Sequence, residues 1–206
     1  MIRTQTINIS HKLKYFTWTP ARTGSHTFTN ILTQLGFESS EINVETNQIV
    51  SHNPKPLHNH TSILFENHEQ YKFITSVRNP YSMVMSQVGA AIENDPEITR
   101  MRIENMMQNP NNFFGYCVHY HNRVPDYAIR IENLYEDWIK IPFVKNHELN
   151  LSGELKKLTE TKLNSRPNLE GDYWKKYYNQ SLADLVFYNH PNTFELFGYD
   201  RNSWKQ

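Results

Sequence analysis

The feature that most constrains this chain is a unit that occurs twice: a short aromatic and β-branched segment, a turn containing arginine, then a run with helical period. In the first unit Tyr15-Phe16-Thr17-Trp18-Thr19 reads as a strand. Pro20-Ala21-Arg22-Thr23-Gly24 breaks it, and from Ser25 the residues Phe28, Ile31, Leu32 and Leu35 fall at helical spacing. Gly36 suits the position just past that helix. In the second unit the strand from Tyr71 to Val77 stops at Arg78-Asn79-Pro80. The helix that follows carries Met83, Val84, Val88 and Ile92 on one face, and Pro80 suits its first turn, where a missing N–H costs nothing. Strands alternating with helices predict an α/β fold: three layers, with a mostly parallel sheet flanked by helices. Ligands of such sheets bind beyond the carboxyl ends of the strands, and Arg22 and Arg78 both fall there.

The rest of the chain fills in this plan. Tyr127 to Leu134 reads as a third strand, and Glu97 to Met107, Phe113 to His121 and Glu154 to Leu163 read as helices. Ser181 opens a last helix that Pro191 interrupts. The polar stretch from Glu38 to His60, with Pro54 and Pro56, predicts mostly loop and one short strand at Gln48 to Ser51. A chain of 206 residues without internal repeats predicts one domain over 1–206.

Charge and cysteine content narrow the function. The formal net charge is zero, so no global basic field draws the chain to nucleic acid or to an anionic membrane, and an anion site must be local. Cys117 is the one cysteine, which fits a reducing compartment. Met1 to Lys14 is polar, and no run approaches the ~20 apolar residues of a membrane span. A cytoplasmic location is the resulting expectation. Oligomeric state is not encoded in any pattern of the sequence.

Both turns have the makings of anion sites. At Arg22-Thr23-Gly24-Ser25-His26-Thr27 a strand runs through a glycine turn into a helix start, whose backbone N–H groups favour negative charge. Gly24 lets the backbone approach a ligand, Ser25 and Thr27 add hydroxyls, and Arg22 adds a permanent charge with a fork of donors. In the second turn Arg78 is followed by Ser86 eight residues on, about two helical turns away. Together these two could hold a second phosphate. The pattern G-x-x-x-x-G-K-[ST] of nucleotide triphosphatases is absent, because no lysine follows Gly24.

The pair of motifs, in this order, resembles the PAPS-dependent sulfotransferase family, which uses 3′-phosphoadenosine-5′-phosphosulfate. Pro20-Ala21-Arg22-Thr23-Gly24-Ser25-His26 is similar to the family's loop for the 5′-phosphosulfate, and Phe73 to Pro80 with Ser86 is similar to its 3′-phosphate motif. Ile131-Glu132-Asn133-Leu134 and the tail from Tyr177 to Trp204 extend the likeness, which runs from about Tyr15 to Trp204. His26 stands where the family usually has Thr or Ser, and Arg22 where many members have Lys. The resemblance implies a P-loop-NTPase-like fold and transfer of a sulfuryl group from PAPS to a hydroxyl or amine of a small-molecule or carbohydrate acceptor. 3′-phosphoadenosine 5′-phosphate (PAP) is left as product, and no metal is required. It assigns the nucleotide to Arg22, Thr23, Gly24, Ser25, His26, Thr27, Arg78, Ser86 and Arg166, the last from a late loop.

Sulfuryl transfer needs a base for the acceptor proton and stabilisation of charge on the leaving phosphate. Arg22 is the candidate for the charge. The family places its base between the two motifs, where this chain has His60, His58 and His52, in that order of preference. A metal site at His58-x-His60 lacks further ligands at suitable spacing, and His119-x-His121 diverges on a helix, so none is expected. Two alternatives stand beside the transferase: a nucleotide kinase or phosphotransferase, disfavoured by the missing lysine and Mg²⁺-binding aspartates, and a nucleotide-binding module with an impaired catalytic centre.

Overall fold

In the structure, a computed structural model, residues 4–20, 24–53, 64–88, 96–108, 123–161 and 172–205 are described. The chain divides into two compact units, Met1–Val77 with Tyr116–Leu163, and Arg78–Gly115 with Asn164–Gln206.

The first unit is built on a six-stranded sheet. Its strands are β1 (Thr4–Ser10), β2 (Tyr15–Trp18), β3 (Glu38–Asn43), β4 (Ile49–Asn53), β5 (Lys72–Val77) and β6 (Tyr127–Arg130), in the order β4-β3-β1-β2-β5-β6. The expected mostly parallel sheet is corrected: among the described residues β1–β2, β1–β3 and β3–β4 pair antiparallel, while β2–β5 and β5–β6 pair parallel. The cause is β1, a strand the sequence conceals, which inserts antiparallel between β2 and β3. Since β1 opposes both of these neighbours, β2, β3, β5 and β6 still point the same way.

One face of this sheet carries Ile74 and Ile129 and is covered by helices. These are α1 (Ser25–Gln34), α4 (Leu134–Trp138), α5 (Pro142–Lys145) and α7 (Glu154–Glu160); α6 (Glu148–Leu151) lies between the last two in sequence. Phe28, Ile31, Leu32 and Leu35, the residues at helical spacing, are all buried there with Trp138, Ile141, Val144 and Leu155. The opposite face carries Ile7, Ile9, Phe16, Trp18, Ile42 and Phe73 and packs against Phe65 and Tyr71. Phe16 and Phe73 stack across the parallel pair at 4.8 Å. The described residues of this unit supply helices to the first face and a loop to the second, so they do not form the expected second helical layer.

The sequence-predicted strand from Tyr127 to Leu134 ends early. After Arg130 the chain turns through a 3₁₀ helix, Ile131–Asn133, into α4. Asp137 enforces the turn. It is 3% exposed and accepts hydrogen bonds from the Arg130 backbone N–H at 3.0 Å, from the Arg130 guanidinium at 2.8 and 2.9 Å, and from Lys140 at 2.6 Å.

The second unit is helical, with α2 (Pro80–Val88), α3 (Pro96–Gln108), α8 (Gln180–Asn189), α9 (Pro191–Phe197) and a 3₁₀ turn at Tyr173–Tyr177. Its core centres on Tyr81, whose ring lies 5.0 Å from Tyr178, 5.2 Å from Phe194 and 6.1 Å from Trp174. The Tyr81 hydroxyl donates to the Arg201 carbonyl at 2.7 Å, tying the tail to α2. No helix among the described residues is long and apolar enough to cross a membrane. The predicted helix at Phe113 to His121 lies outside the described residues.

Burial alone would raise the Asp137 carboxyl, but the bonds from Arg130 and Lys140 outweigh it and hold the carboxyl below the ordinary value. A carboxyl depressed in the folded state stabilises it above the unfolded value of about 3.9, and that contribution is lost as pH falls through the folded value. Asp137→Ala should cost about 3 kcal/mol in urea denaturation at pH 7, because Arg130 loses its buried partner. Asp137→Asn should flatten the loss of stability as pH falls below about 4 relative to the unsubstituted chain.

Candidate functional site

The strands that feed the two arginine turns are neighbours. β2 and β5 pair in parallel with Trp18 opposite Thr75, so their carboxyl ends lie at the same edge of the sheet. The Thr75 hydroxyl donates to the Trp18 carbonyl at 2.9 Å, which fastens the pair at that edge. The outgoing connections then diverge. From β2 the chain passes through α1 to β3 on one side, and from β5 it returns as β6 on the other. Such a switch in direction is where open α/β sheets hold their ligands.

Arg22 and Thr23 lie outside the described residues; Gly24, Ser25, His26 and Thr27 are described. Gly24 has φ +72° and precedes the first turn of α1, its carbonyl accepting from the Phe28 N–H at 3.0 Å. A Cβ at this position would lie 3.0 Å from Cγ2 of Ile131. Both the left-handed backbone and the close approach therefore require glycine. The N-cap residue of α1 is Gly24 itself, which has no side chain with which to cap the helix. Ser25 and Thr27 are buried, while His26, one of the two departures from the motif the chain resembles, is exposed. Glu132, beside Ile131, is exposed as well.

In the second unit Arg78 and Ser86 are both partly buried. The Arg78 Nε donates to the Ser82 hydroxyl at 2.5 Å, so the guanidinium folds back over the first turn of α2. Ser82 and Ser86 are four residues apart and share a helix face. Arg78, Ser82 and Ser86 thereby form one polar stripe, of which the sequence reading found the two ends and missed the middle. The spacing of four on either side was the available signal. Asn79 fixes the start of α2: its Oδ1 accepts from the Tyr81 N–H at 3.0 Å and its Nδ2 donates to Ser203 at 2.9 Å.

Of the candidate bases, His58 and His60 lie outside the described residues, as does Arg166. His52 sits on β4, exposed, with Nδ1 2.9 Å from the Ser40 hydroxyl. The aromatic residues Trp174, Tyr177 and Tyr178, which carry no assigned role, are core: each is less than 10% exposed, and the Tyr178 hydroxyl donates to the Tyr81 carbonyl at 2.9 Å.

Compared with protein-family models, with curated proteins and with solved structures, the chain matches none.

Gly24→Ala should destabilise the fold by about 1–3 kcal/mol, from the left-handed backbone and from the contact with Ile131. Part of that cost belongs to the pair. In an Ile131→Ala background the same substitution should cost at least 0.5 kcal/mol less, on the order of a direct-contact coupling. Additive effects in thermal denaturation would place Ile131 away from the turn.

Proposed function

We propose that the chain is a PAPS-dependent sulfotransferase, with its sheet a variant of the P-loop-like fold in which β1 is inserted antiparallel. One observation carries the reading: the two strands that lead into the arginine turns pair in parallel at the point where the sheet's connections diverge. The glycine turn, with its left-handed Gly24 leading into the N-terminus of α1, is suited to the 5′-phosphosulfate. The stripe of Arg78, Ser82 and Ser86 is suited to the 3′-phosphate, since a guanidinium and two hydroxyls can all donate to a dianion.

In the reaction the acceptor oxygen attacks sulfur as the bond from sulfur to the bridging phosphate oxygen breaks. The acceptor proton passes to a base, for which His60 is preferred to His58, and PAP departs with the charge. Arg22 stabilises that charge electrostatically, because a guanidinium has no proton to give at neutral pH. His60, His58, Arg22 and Arg166 enter this scheme from the sequence. His52 is the weakest of the three bases, since Ser40 already engages its ring.

The test is calorimetric titration with PAP and, separately, with ADP, both without metal. PAP should bind and ADP should bind far more weakly. A preference for ADP, or a dependence on Mg²⁺, would replace the reading with a phosphotransferase, and binding of neither would remove the nucleotide altogether. Arg78→Ala should weaken PAP by about 10- to 100-fold, ~1.5–3 kcal/mol, and leave a nucleotide without the 3′-phosphate unaffected. Equal losses for both would take Arg78 off the 3′-phosphate.

A further inference from the structure

The antiparallel half of the sheet brings together three residues that are remote in sequence. Ile9 on β1 pairs with Glu38 on β3, and Ser40 on β3 pairs with His52 on β4. Paired residues share a face, and so do residues two apart on one strand. Glu38, Ser40 and His52 therefore lie on one face. His11, two residues beyond Ile9 in the turn between β1 and β2, joins them there. One ligand atom from each of His11, Glu38 and His52 lies within 4.8 Å of the others, and the two imidazole rings meet edge to face at 5.4 Å.

We propose that His11, Glu38 and His52 bind a divalent transition-metal ion, with zinc the best match to the donors. Two histidines and one carboxylate form a donor set that zinc takes in tetrahedral sites, leaving the fourth position for water. The outer partners match as well. A metal-binding histidine generally commits its other ring nitrogen to a hydrogen bond that fixes ring and tautomer. Here Nδ1 of His11 lies 2.8 Å from the Tyr71 hydroxyl, and Nδ1 of His52 lies 2.9 Å from the Ser40 hydroxyl. Both Nε2 atoms are thereby left for an ion.

A second, independent observation points the same way. Nε2 of His11 is buried and has no hydrogen-bond partner among the described residues. In either tautomer this leaves a buried polar atom unsatisfied, at a cost of about 1–3 kcal/mol that a bound cation removes. Lys14 does not occupy the site. Its amine lies over the Tyr71 ring, 4.8 Å from the centroid and 3.5 Å from the hydroxyl. Donors of a tetrahedral zinc site stand about 3.4 Å apart, given bond lengths of about 2.0–2.2 Å. Rotation of the partly buried Glu38 side chain toward the two rings provides the contraction, with His52 still held by Ser40. The bound ion would fasten β4 to β3 and to the turn that enters β2.

Zinc chloride is titrated into the full chain at pH 7.5 by calorimetry, with cobalt(II) absorption as a report on coordination and thermal denaturation as a report on stability. One ion per chain should bind, cobalt should give the visible spectrum of a tetrahedral nitrogen and oxygen site, and zinc should raise the melting temperature. Glu38→Gln and His52→Ala should each weaken binding by more than the ~10–100-fold typical of an outer partner, and Ser40→Ala by an amount within that range. His52→Ala leaves the buried Ser40 hydroxyl without its partner and should melt somewhat lower than the unsubstituted chain without zinc, but in one cooperative transition, which separates ligand loss from misfolding. Two results would overturn the proposal: affinity unchanged in His52→Ala and Glu38→Gln, or binding abolished instead by His58→Ala with His60→Ala.

Discussion

The parallel pairing of β2 with β5 is the interaction on which the arginine turns depend. It is a tightly specified pair. Phe16 stacks on Phe73 on one face, Ile74 packs under the helices on the other, and the Thr75 hydroxyl holds the Trp18 carbonyl between them. A slip of one residue would turn Phe73 toward the helices and expose the Thr75 bond to rearrangement, so the register resists slippage. On its other side β5 is tied to the start of β6 through Asp126, which pairs with Lys72 and whose other oxygen accepts from the Phe73 N–H at 2.9 Å. Because the register is fixed, the ends of β2 and β5 are fixed too, and each end leads into one of the arginine turns.

A second constraint acts at the end of β6. Asp137 draws Arg130 and Lys140 together and bends the chain out of the strand into the 3₁₀ turn that bears Ile131. Ile131 in turn fills the space that a side chain at position 24 would need. A buried ion pair thus positions an aliphatic side chain, and that side chain crowds any Cβ at position 24, where the left-handed backbone already favours glycine. Such a chain of contacts links a stability feature to the shape of a candidate site without any ligand being involved.

The parts legible in the sequence were those with strong periodicity or strong punctuation. α1 and its buried stripe, β2, β5, the start of α2 at Pro80 and the break at Pro191 all fall where the residues placed them. β1 and β3 were concealed for one physical reason. Asn8, Ser10, Ser39 and Ser40 are polar, yet all are buried within the ladder, so the segments TQTINIS and ESSEIN lack the apolar alternation that marks a half-buried strand. Missing those strands made the sheet look mostly parallel. It also hid the meeting of His11, Glu38 and His52, which exists only through the register of β1, β3 and β4. Arg22, Thr23, His58, His60 and Arg166 lie outside the described residues, so the roles proposed for them rest on the sequence resemblance alone.

Amide hydrogen exchange with and without PAP tests the central claim most directly, because it reports on each turn separately. The account predicts that PAP slows exchange at the first turn of α1, from Ser25 to Phe28, and also at the first turn of α2, from Tyr81 to Met83. The effect should disappear at α2 when the nucleotide lacks its 3′-phosphate. Protection confined to other segments, or none at either turn at saturating PAP, would contradict it.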